Sequence, residues 1–138
     1  MADDLSREEI RDLLAATRTI AMVGASPEPW RPAHGIMRYL QRSGYRVVPV
    51  NPHHAGDTLH GETVVGSLAD AGPVDLVNVF RRSDAVGEVV ADAIGAGAPA
   101  IWIQVGIRNE PAVERARAAG LRVVTDRCIS VEHSRLLR

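Results

Sequence analysis

The sequence has 138 residues, enough for one domain that buries roughly two thirds of its unfolded surface in a single core. Hydrophobic residues make up 46% and charged residues 24% of the chain, which excludes an intrinsically disordered protein. The formal net charge of −1 disfavours nucleic-acid binding, which requires a basic surface. Apolar runs of about six residues are too short to span a membrane. We therefore expect a single domain over residues 1–138, with neither nucleic acid nor a membrane as its partner.

The N-terminal stretch MADDLSREEI is acidic and lacks the basic and apolar regions of a secretory signal. The single cysteine, Cys128, excludes an intramolecular disulfide and is typical of a reducing compartment. Both features predict a cytoplasmic protein. All 16 Lys and Arg residues are arginine. The permanently charged side chain that binds a phosphate must therefore be a guanidinium, and a Schiff base on lysine is excluded.

The predicted elements begin with an amphipathic helix over about residues 6–17. Ser6 and Glu9 have the spacing of a capping box, and Ile10, Leu13 and Leu14 form an apolar stripe. Short apolar runs rich in valine and isoleucine follow, as is typical of strands buried on both faces. These runs are TIAMVG (19–24), RVVPV (46–50), VDLVNVF (74–80), AIWIQVG (100–106) and RVVT (122–125).

Helical patterns separate the predicted strands. The first helix ends before Gly44, and the second covers residues 86–94. The third extends from the cap Asn109 to Gly120, and the last begins at about Ser130. Residues 51–66 are predicted to be the longest irregular connection. The alternation predicts an α/β, Rossmann-like doubly wound sheet of about five mainly parallel strands with helices on both faces. Ligands of such folds bind at the carboxyl ends of the strands, beside the first strand.

Basic residues follow all five predicted strands, which indicates an anion site at this edge. The segments are GASPEPWRPAH, NPHHAGD, RRSD, GIRNE and DRC. In the first of them Gly24 allows a tight turn, while Ala25 and Ser26 are small enough for close approach to a phosphate. We expect backbone N–H groups of this turn to bind it.

The glycine fingerprint of dinucleotide-binding proteins is absent. The glycine after Gly24 is Gly35, and the second strand is followed by Asn51-Pro52-His53 rather than by a carboxylate. Because that fingerprint needs closely spaced glycines and an acidic ribose ligand, NAD is disfavoured. An NADP-like nucleotide, or another ligand with an additional phosphate, is compatible with the residues present.

Three blocks then carry a family resemblance. They are VGASPEPWRPAHGIMRYLQRSGYRVVPVNPHHAGDTLHG, VDLVNVFRRSDAV and AIWIQVGIRNEPAVERARAAGLRVVTDRC. In order and spacing the chain resembles, over about residues 10–133, the small stand-alone coenzyme A-binding proteins, which are similar to the N-terminal domain of the succinyl-CoA synthetase alpha subunit. The resemblance implies a Rossmann-like domain that binds coenzyme A or an acyl-CoA along the strand ends. It implies no ligase activity, because the synthetase uses a phosphorylated histidine from a second domain.

The same resemblance implies roles for individual residues. The phosphates would be bound by Gly24, Ala25 and Ser26, with Arg31 nearby. The ribose and its 3′-phosphate would lie by Asn51, Pro52 and His53. The adenine and the nucleotide would be flanked by Phe80, Arg81, Arg82 and Ser83. The pantetheine arm would pass Gly106 and Ile107.

No catalytic or metal-binding residue is predicted. The five histidines, His34, His53, His54, His60 and His133, lack metal-ligand spacing. Cys128 leaves an alternative open, because neighbouring Arg127 favours a thiolate; a redox or transfer enzyme would then use Cys128 near the coenzyme A thiol. Trp30 is a candidate lid over the ligand, and a homodimer formed through exposed helices is compatible with the fold.

Overall fold

The computed structural model of the protein describes residues 5–137. Residues 1–4, which belong to the acidic stretch discussed above, and Arg138 lie outside the described residues. The helices are α1 Arg7–Ala16, α2 Pro32–Arg42, α3 Val86–Gly95, α4 Glu110–Ala118 and α5 Ile129–Leu137. The strands are β1 Thr19–Val23, β2 Arg46–Val50, β3 Thr58–Leu59, β4 Glu62–Thr63, β5 Leu76–Val79, β6 Ala100–Ile103 and β7 Arg122–Thr125.

Five strands form one parallel sheet in the order β2-β1-β5-β6-β7. The predicted Rossmann-like α/β fold is thereby confirmed. The chain winds in one direction from β1 to β2 and in the other from β5 to β7, so the strand order reverses between β1 and β5. This reversal opens a crevice at the carboxyl ends of the two strands, where ligands of such sheets bind.

Two apolar cores enclose the sheet, one on each face. Successive residues of β1 point to opposite faces, so that Met22 packs in one core and Val23 in the other. The first core includes Leu14 of α1 and Met37 of α2, and the second includes Val90 of α3. Burial on both faces explains why the strands read as continuous apolar runs.

Helix α1 begins and ends within a residue of its predicted limits. The Ser6 Oγ accepts from the N–H of Glu9 over 3.1 Å, and the Ser6 N–H donates to Glu9 Oε1 over 2.9 Å, which confirms the capping box. The other end of α1 is fixed by Tyr45, whose hydroxyl donates to the carbonyl of Leu14 over 2.6 Å. Burial raises the pKa of Tyr45 to about 12.

The prediction that residues 51–66 are irregular is wrong, because β3 and β4 form an antiparallel hairpin there. His60 and Gly61 make its two-residue turn, with φ of 48° and 82°. Turns of this kind have positive φ at both central residues and match the twist of the strands. Strands of two residues are too short to show alternation, so the hairpin left no periodic signal. Among residues 5–137, no helix combines the length and the apolar character needed to cross a membrane.

Candidate functional site

A cleft of about 480 Å³ lies at the carboxyl ends of β1, β2 and β5, where the strand order reverses. Most of the residues that the sequence singled out as ligand contacts line it. They are Gly24, Ala25, Ser26, Arg31, Asn51, Pro52, His53, Phe80, Arg81 and Arg82. Residues distant in sequence meet here because the carboxyl ends of parallel strands share one edge of the sheet.

The turn after β1 forms the floor of this cleft and requires glycine at position 24. Gly24 has a φ of 92°, and its N–H donates to the carbonyl oxygen of Val50 over 3.0 Å. A Cβ at this position would overlap the carbonyl oxygen of Phe80 and lie 2.8 Å from its carbonyl carbon. The close approach of the two backbones therefore excludes every side chain there.

Three backbone N–H groups around this turn have no partner within the described chain. Within the described chain, the N–H groups of Ala25, Ser26 and Ala33 donate no hydrogen bond. Ala33 belongs to the first turn of α2, whose N-cap residue, Arg31, provides no side-chain cap. An uncapped helix N-terminus beside a turn with free N–H groups is a favourable environment for a phosphate.

Asn51 joins the end of β2 to this turn. Its Nδ2 donates to the carbonyl oxygen of Ala25 over 2.9 Å, and its Oδ1 accepts from the N–H of His53 over 2.9 Å. Both ends of the amide are therefore used within the protein. Asn51 holds the turn in place, and the neighbouring His53 side chain is exposed at the rim of the cleft.

The arginines of the cleft differ in how they are paired. Arg82 is exposed and lies 3.3 Å from Asp84, and Arg31 lies 3.3 Å from Glu28. Arg81 is half-buried and has no hydrogen-bond or ion-pair partner among residues 5–137. An unpaired, partly desolvated guanidinium binds an anion more strongly than an exposed, paired one. Arg81 is therefore the main positive charge that this cleft offers to a ligand.

Ser83, Gly106 and Ile107 do not line the cleft. The Ser83 Oγ accepts from the N–H of Arg108 over 3.0 Å, and the Gly106 N–H donates to Asp126 Oδ1 over 3.1 Å. These bonds join three loops at the carboxyl edge to one another. Ile107 lines a different cleft of about 580 Å³ near the ends of β6 and β7. Contact of these three residues with a ligand stays a prediction.

A recess of about 240 Å³ extends the cleft towards α3 and contains polar residues that the sequence had not singled out. It shares Arg81 with the cleft and adds Ser67, Glu88 and Asp92. Glu88 and Asp92 are four residues apart and so lie on one face of α3. Their spacing in the sequence, together with the predicted helix after β5, is the signal that could have identified them.

The remaining candidates lie elsewhere. Trp30 is 76% exposed and does not line the cleft. Cys128 is half-buried and lines the same cleft as Ile107, with its Sγ 3.3 Å from Ser130 Oγ. Within residues 5–137, no three His, Cys, Asp or Glu side chains are grouped as a metal ion would require.

The comparisons agree with the resemblance found in the sequence. A family model described as a CoA binding domain matches residues 18–134. The uncharacterized protein YneT of Bacillus subtilis is 38% identical over 130 residues, which cover 94% of this chain and 95% of that protein. The structure of cell-free ID.343 from Thermus thermophilus is 44% identical, with a TM-score of 0.90 over 96% of this chain and 100% of that one.

A part of a larger protein is also similar. The dinucleotide-forming acetyl-coenzyme A synthetase 1 of Ca. Korarchaeum cryptofilum, in complex with phosphate and ADP, is 29% identical with a TM-score of 0.69. The similarity covers 82% of this chain and 27% of that chain. The predicted resemblance to coenzyme A-binding proteins is confirmed by these matches.

Proposed function

Because the chain belongs to the CoA-binding domain family, we propose that it binds coenzyme A or an acyl-CoA in the cleft at the ends of β1, β2 and β5. The observation that carries this proposal is the pair of free N–H donors at Ala25 and Ser26, with the unpaired guanidinium of Arg81 in the same cleft and the uncapped start of α2 after Arg31. Coenzyme A has a pyrophosphate and a 3′-phosphate, which need such a set of donors. The donors therefore support a ligand with several phosphate groups.

The pyrophosphate fits the turn after β1, where the N–H groups and the start of α2 favour negative charge. We assign the 3′-phosphate to Arg81 and His53 on the neighbouring loops. The recess with Ser67, Glu88 and Asp92 offers acceptors for the amino group of a purine.

We propose binding without catalysis as the role of this site. No aspartate or glutamate of the described chain lines the cleft itself, and we assign Glu88 and Asp92 of the adjoining recess to the purine. The one histidine of the cleft, His53, is exposed with no side-chain hydrogen bond to orient it. General acid–base catalysis needs a titratable group that is held in place, usually by a third residue. Binding needs only the donors that are present.

Isothermal titration with a panel of ligands tests the proposal. We expect coenzyme A and acetyl-CoA to bind with similar affinity, and dephospho-CoA to bind more weakly because it lacks the 3′-phosphate. NADP and ATP serve as competing nucleotides, since an NADP-like ligand is the alternative. Absence of coenzyme A binding by folded protein, or tighter binding of NADP, contradicts the proposal.

A second candidate function rests on Cys128. Its thiol lies in the same cleft as Ile107, on the predicted path of the pantetheine arm. Attack of the Cys128 thiolate on coenzyme A disulfide would form a protein–CoA mixed disulfide and release one coenzyme A thiol. Mass spectrometry after incubation with coenzyme A disulfide, with Cys128→Ser as control, detects the adduct. An unmodified wild-type chain excludes this function.

Assembly as a homodimer also stays a proposal. Light scattering combined with gel filtration gives the mass in solution, with and without coenzyme A. A mass of one chain under both conditions contradicts it.

A further inference from the structure

A groove of about 850 Å³ lies beside helix α2. It is bounded by α2, α5 and the β3–β4 turn, and we call it the α2–α5 groove. Its lining consists of His34, Gly35, Arg38, Tyr39, Arg42, Ser43, His60, His133 and Leu137. The groove shares no lining residue with the cleft at the ends of β1, β2 and β5.

The ionisable side chains known to line this groove are basic, apart from the Tyr39 phenol. No aspartate or glutamate of the described chain lines it, whereas two arginines and three histidines do. Arg38 and Arg42 are one turn apart on α2 and share a face, and neither has an ion-pair partner among residues 5–137. Like charges at this spacing destabilise a helix by roughly 0.2–0.5 kcal/mol. The arrangement is therefore unfavourable for the empty helix and favourable for a bound anion.

The side chains around the two arginines are held in place. His60 Nε2 lies 2.9 Å from the carbonyl oxygen of His34, and the two rings are 4.4 Å apart. Gln41 Nε2 donates to the carbonyl of His60 over 3.0 Å, which ties the hairpin turn to α2. Between α2 and α5, the Tyr39 hydroxyl lies 2.9 Å from His133 Nδ1. Binding in such a groove needs little ordering beyond the two arginine side chains.

We propose that the α2–α5 groove is a second ligand site, which binds a small polyanionic molecule such as a phosphorylated or polycarboxylated metabolite. Arg38 and Arg42 bind its anionic groups, and the His34–His60 pair forms the adjoining wall. The volume is in the range of small-molecule sites, and two guanidiniums one helical turn apart suit a ligand with at least two anionic groups. The proposal does not depend on the identity of the ligand in the other cleft.

Inorganic pyrophosphate and citrate are the probes, titrated into the full-length protein while NMR records the Nε–H signals of its arginines. Ionic strength is held constant with sodium chloride. We expect the signals of Arg38 and Arg42 to shift and saturate. The double variant Arg38→Gln/Arg42→Gln lacks these two signals, so its affinity is measured beside that of the wild type by titration calorimetry; it should be weaker by about tenfold or more, since each lost pair of charge-assisted hydrogen bonds weakens an anion contact.

Two matched variants separate the possible sources of a signal. Arg46→Gln removes an exposed arginine outside the groove and should leave the titration unchanged. Arg81→Gln weakens anion binding in the cleft at the ends of β1, β2 and β5, and it should leave the Arg38 and Arg42 shifts unchanged. If the double variant unfolds, the single variants Arg38→Gln and Arg42→Gln replace it, each with a partial loss expected.

Three results overturn the proposal. The first is a shift of Arg38 and Arg42 that grows linearly without saturation, which indicates ionic screening. The second is loss of all pyrophosphate binding in Arg81→Gln, which assigns it to the other cleft. The third is unchanged affinity in the Arg38 and Arg42 variants. Preference for pyrophosphate over citrate, or the reverse, identifies phosphate or carboxylate as the group that the groove selects.

Discussion

The Nδ2 of Asn51 donates to the carbonyl oxygen of Ala25 over 2.9 Å, so that the end of β2 holds the turn after β1. The same side chain accepts from the N–H of His53, and both loops are fixed by one amide. Asn51 is therefore a positioning residue, although the sequence resemblance implied a place beside the ribose. We propose that its contribution to coenzyme A binding is the geometry of the turn.

Asn51→Asp tests this positioning role. The aspartate keeps the acceptor for the His53 N–H but loses the donor to Ala25, and it adds a negative charge near the phosphate turn. We expect coenzyme A affinity to fall by tenfold or more, since a hydrogen bond of roughly 1 kcal/mol is lost and a repulsion is added. Asn51→Ala loses the bonds without the charge and should bind more tightly than Asn51→Asp; titration calorimetry on both variants measures the difference. Equal affinity of wild type and Asn51→Asp would contradict the role.

Gly24→Ala should destabilise the protein by about 2 kcal/mol or more, because an alanine Cβ meets the Phe80 carbonyl and φ is 92°. Gly35→Ala is the matched control. Gly35 lies inside α2, and a Cβ there has no neighbour within 4 Å. That change should stabilise the protein by roughly 0.5–1 kcal/mol. Urea unfolding gives both values, and equal effects of the two substitutions would exclude the close contact at Gly24.

The adjacent arginines after β5 should differ in their effect on ligand affinity. Arg81→Gln removes the half-buried, unpaired guanidinium, and we expect the Kd for coenzyme A to rise about tenfold. Arg82→Gln removes an exposed side chain already paired with Asp84, with an expected change below about threefold. Calorimetry at two salt concentrations checks the order. A larger loss of coenzyme A affinity in Arg82→Gln than in Arg81→Gln would contradict this prediction.

Tyr45 makes the stability of the protein depend on alkaline pH. Its pKa in the folded protein is about 12, above the ordinary value of 10.0, because the phenol is buried. The folded state therefore holds this proton more tightly than the unfolded state. The resulting stability is fully present below pH 10 and is lost as pH rises towards 12, by about 2–3 kcal/mol on an order-of-magnitude scale.

Urea unfolding at a series of pH values from 9 upward measures this loss. Tyr45→Phe is less stable at pH 9, because the hydrogen bond to Leu14 is gone, and it lacks the additional alkaline slope. Absorbance of the phenolate during the same titration reports the pKa directly. Parallel pH profiles of the two proteins would show that Tyr45 does not carry the effect.

The sheet was predictable from the sequence because burial on both faces makes each strand a continuous apolar run. Runs such as RVVPV have no polar position to interrupt them, and the C′ glycines at 44 and 120 adopt the positive φ that ends a helix. The residues of the cleft were predictable for a related reason. Fold topology alone brings the ends of β1, β2 and β5 together, so any residue directly after them reaches the same place.

What the sequence did not predict depends on contacts between distant segments. Ser83 accepts from the N–H of Arg108, and Gln104 Nε2 donates to the buried Asn78 Oδ1 over 2.5 Å. Each bond joins segments about 25 residues apart through loop geometry that has no periodic pattern. The α2–α5 groove has no signal in the sequence for the same reason, because His60 and His133 join Arg38 and Arg42 only in three dimensions.

Because α2 has no side-chain cap, a bound phosphate would stabilise this helix as well as occupy the cleft. A side-chain cap stabilises a helix by about 1 kcal/mol, and α2 has Arg31 where a serine or aspartate would supply one. A phosphate bound to the Ala33 N–H would take the place of that cap, and amide exchange in the first turn of α2 should slow when coenzyme A is added. Arg31→Ser should then stabilise the empty protein while it weakens coenzyme A binding, so that the best sequence for the helix and the best sequence for the ligand differ at this residue.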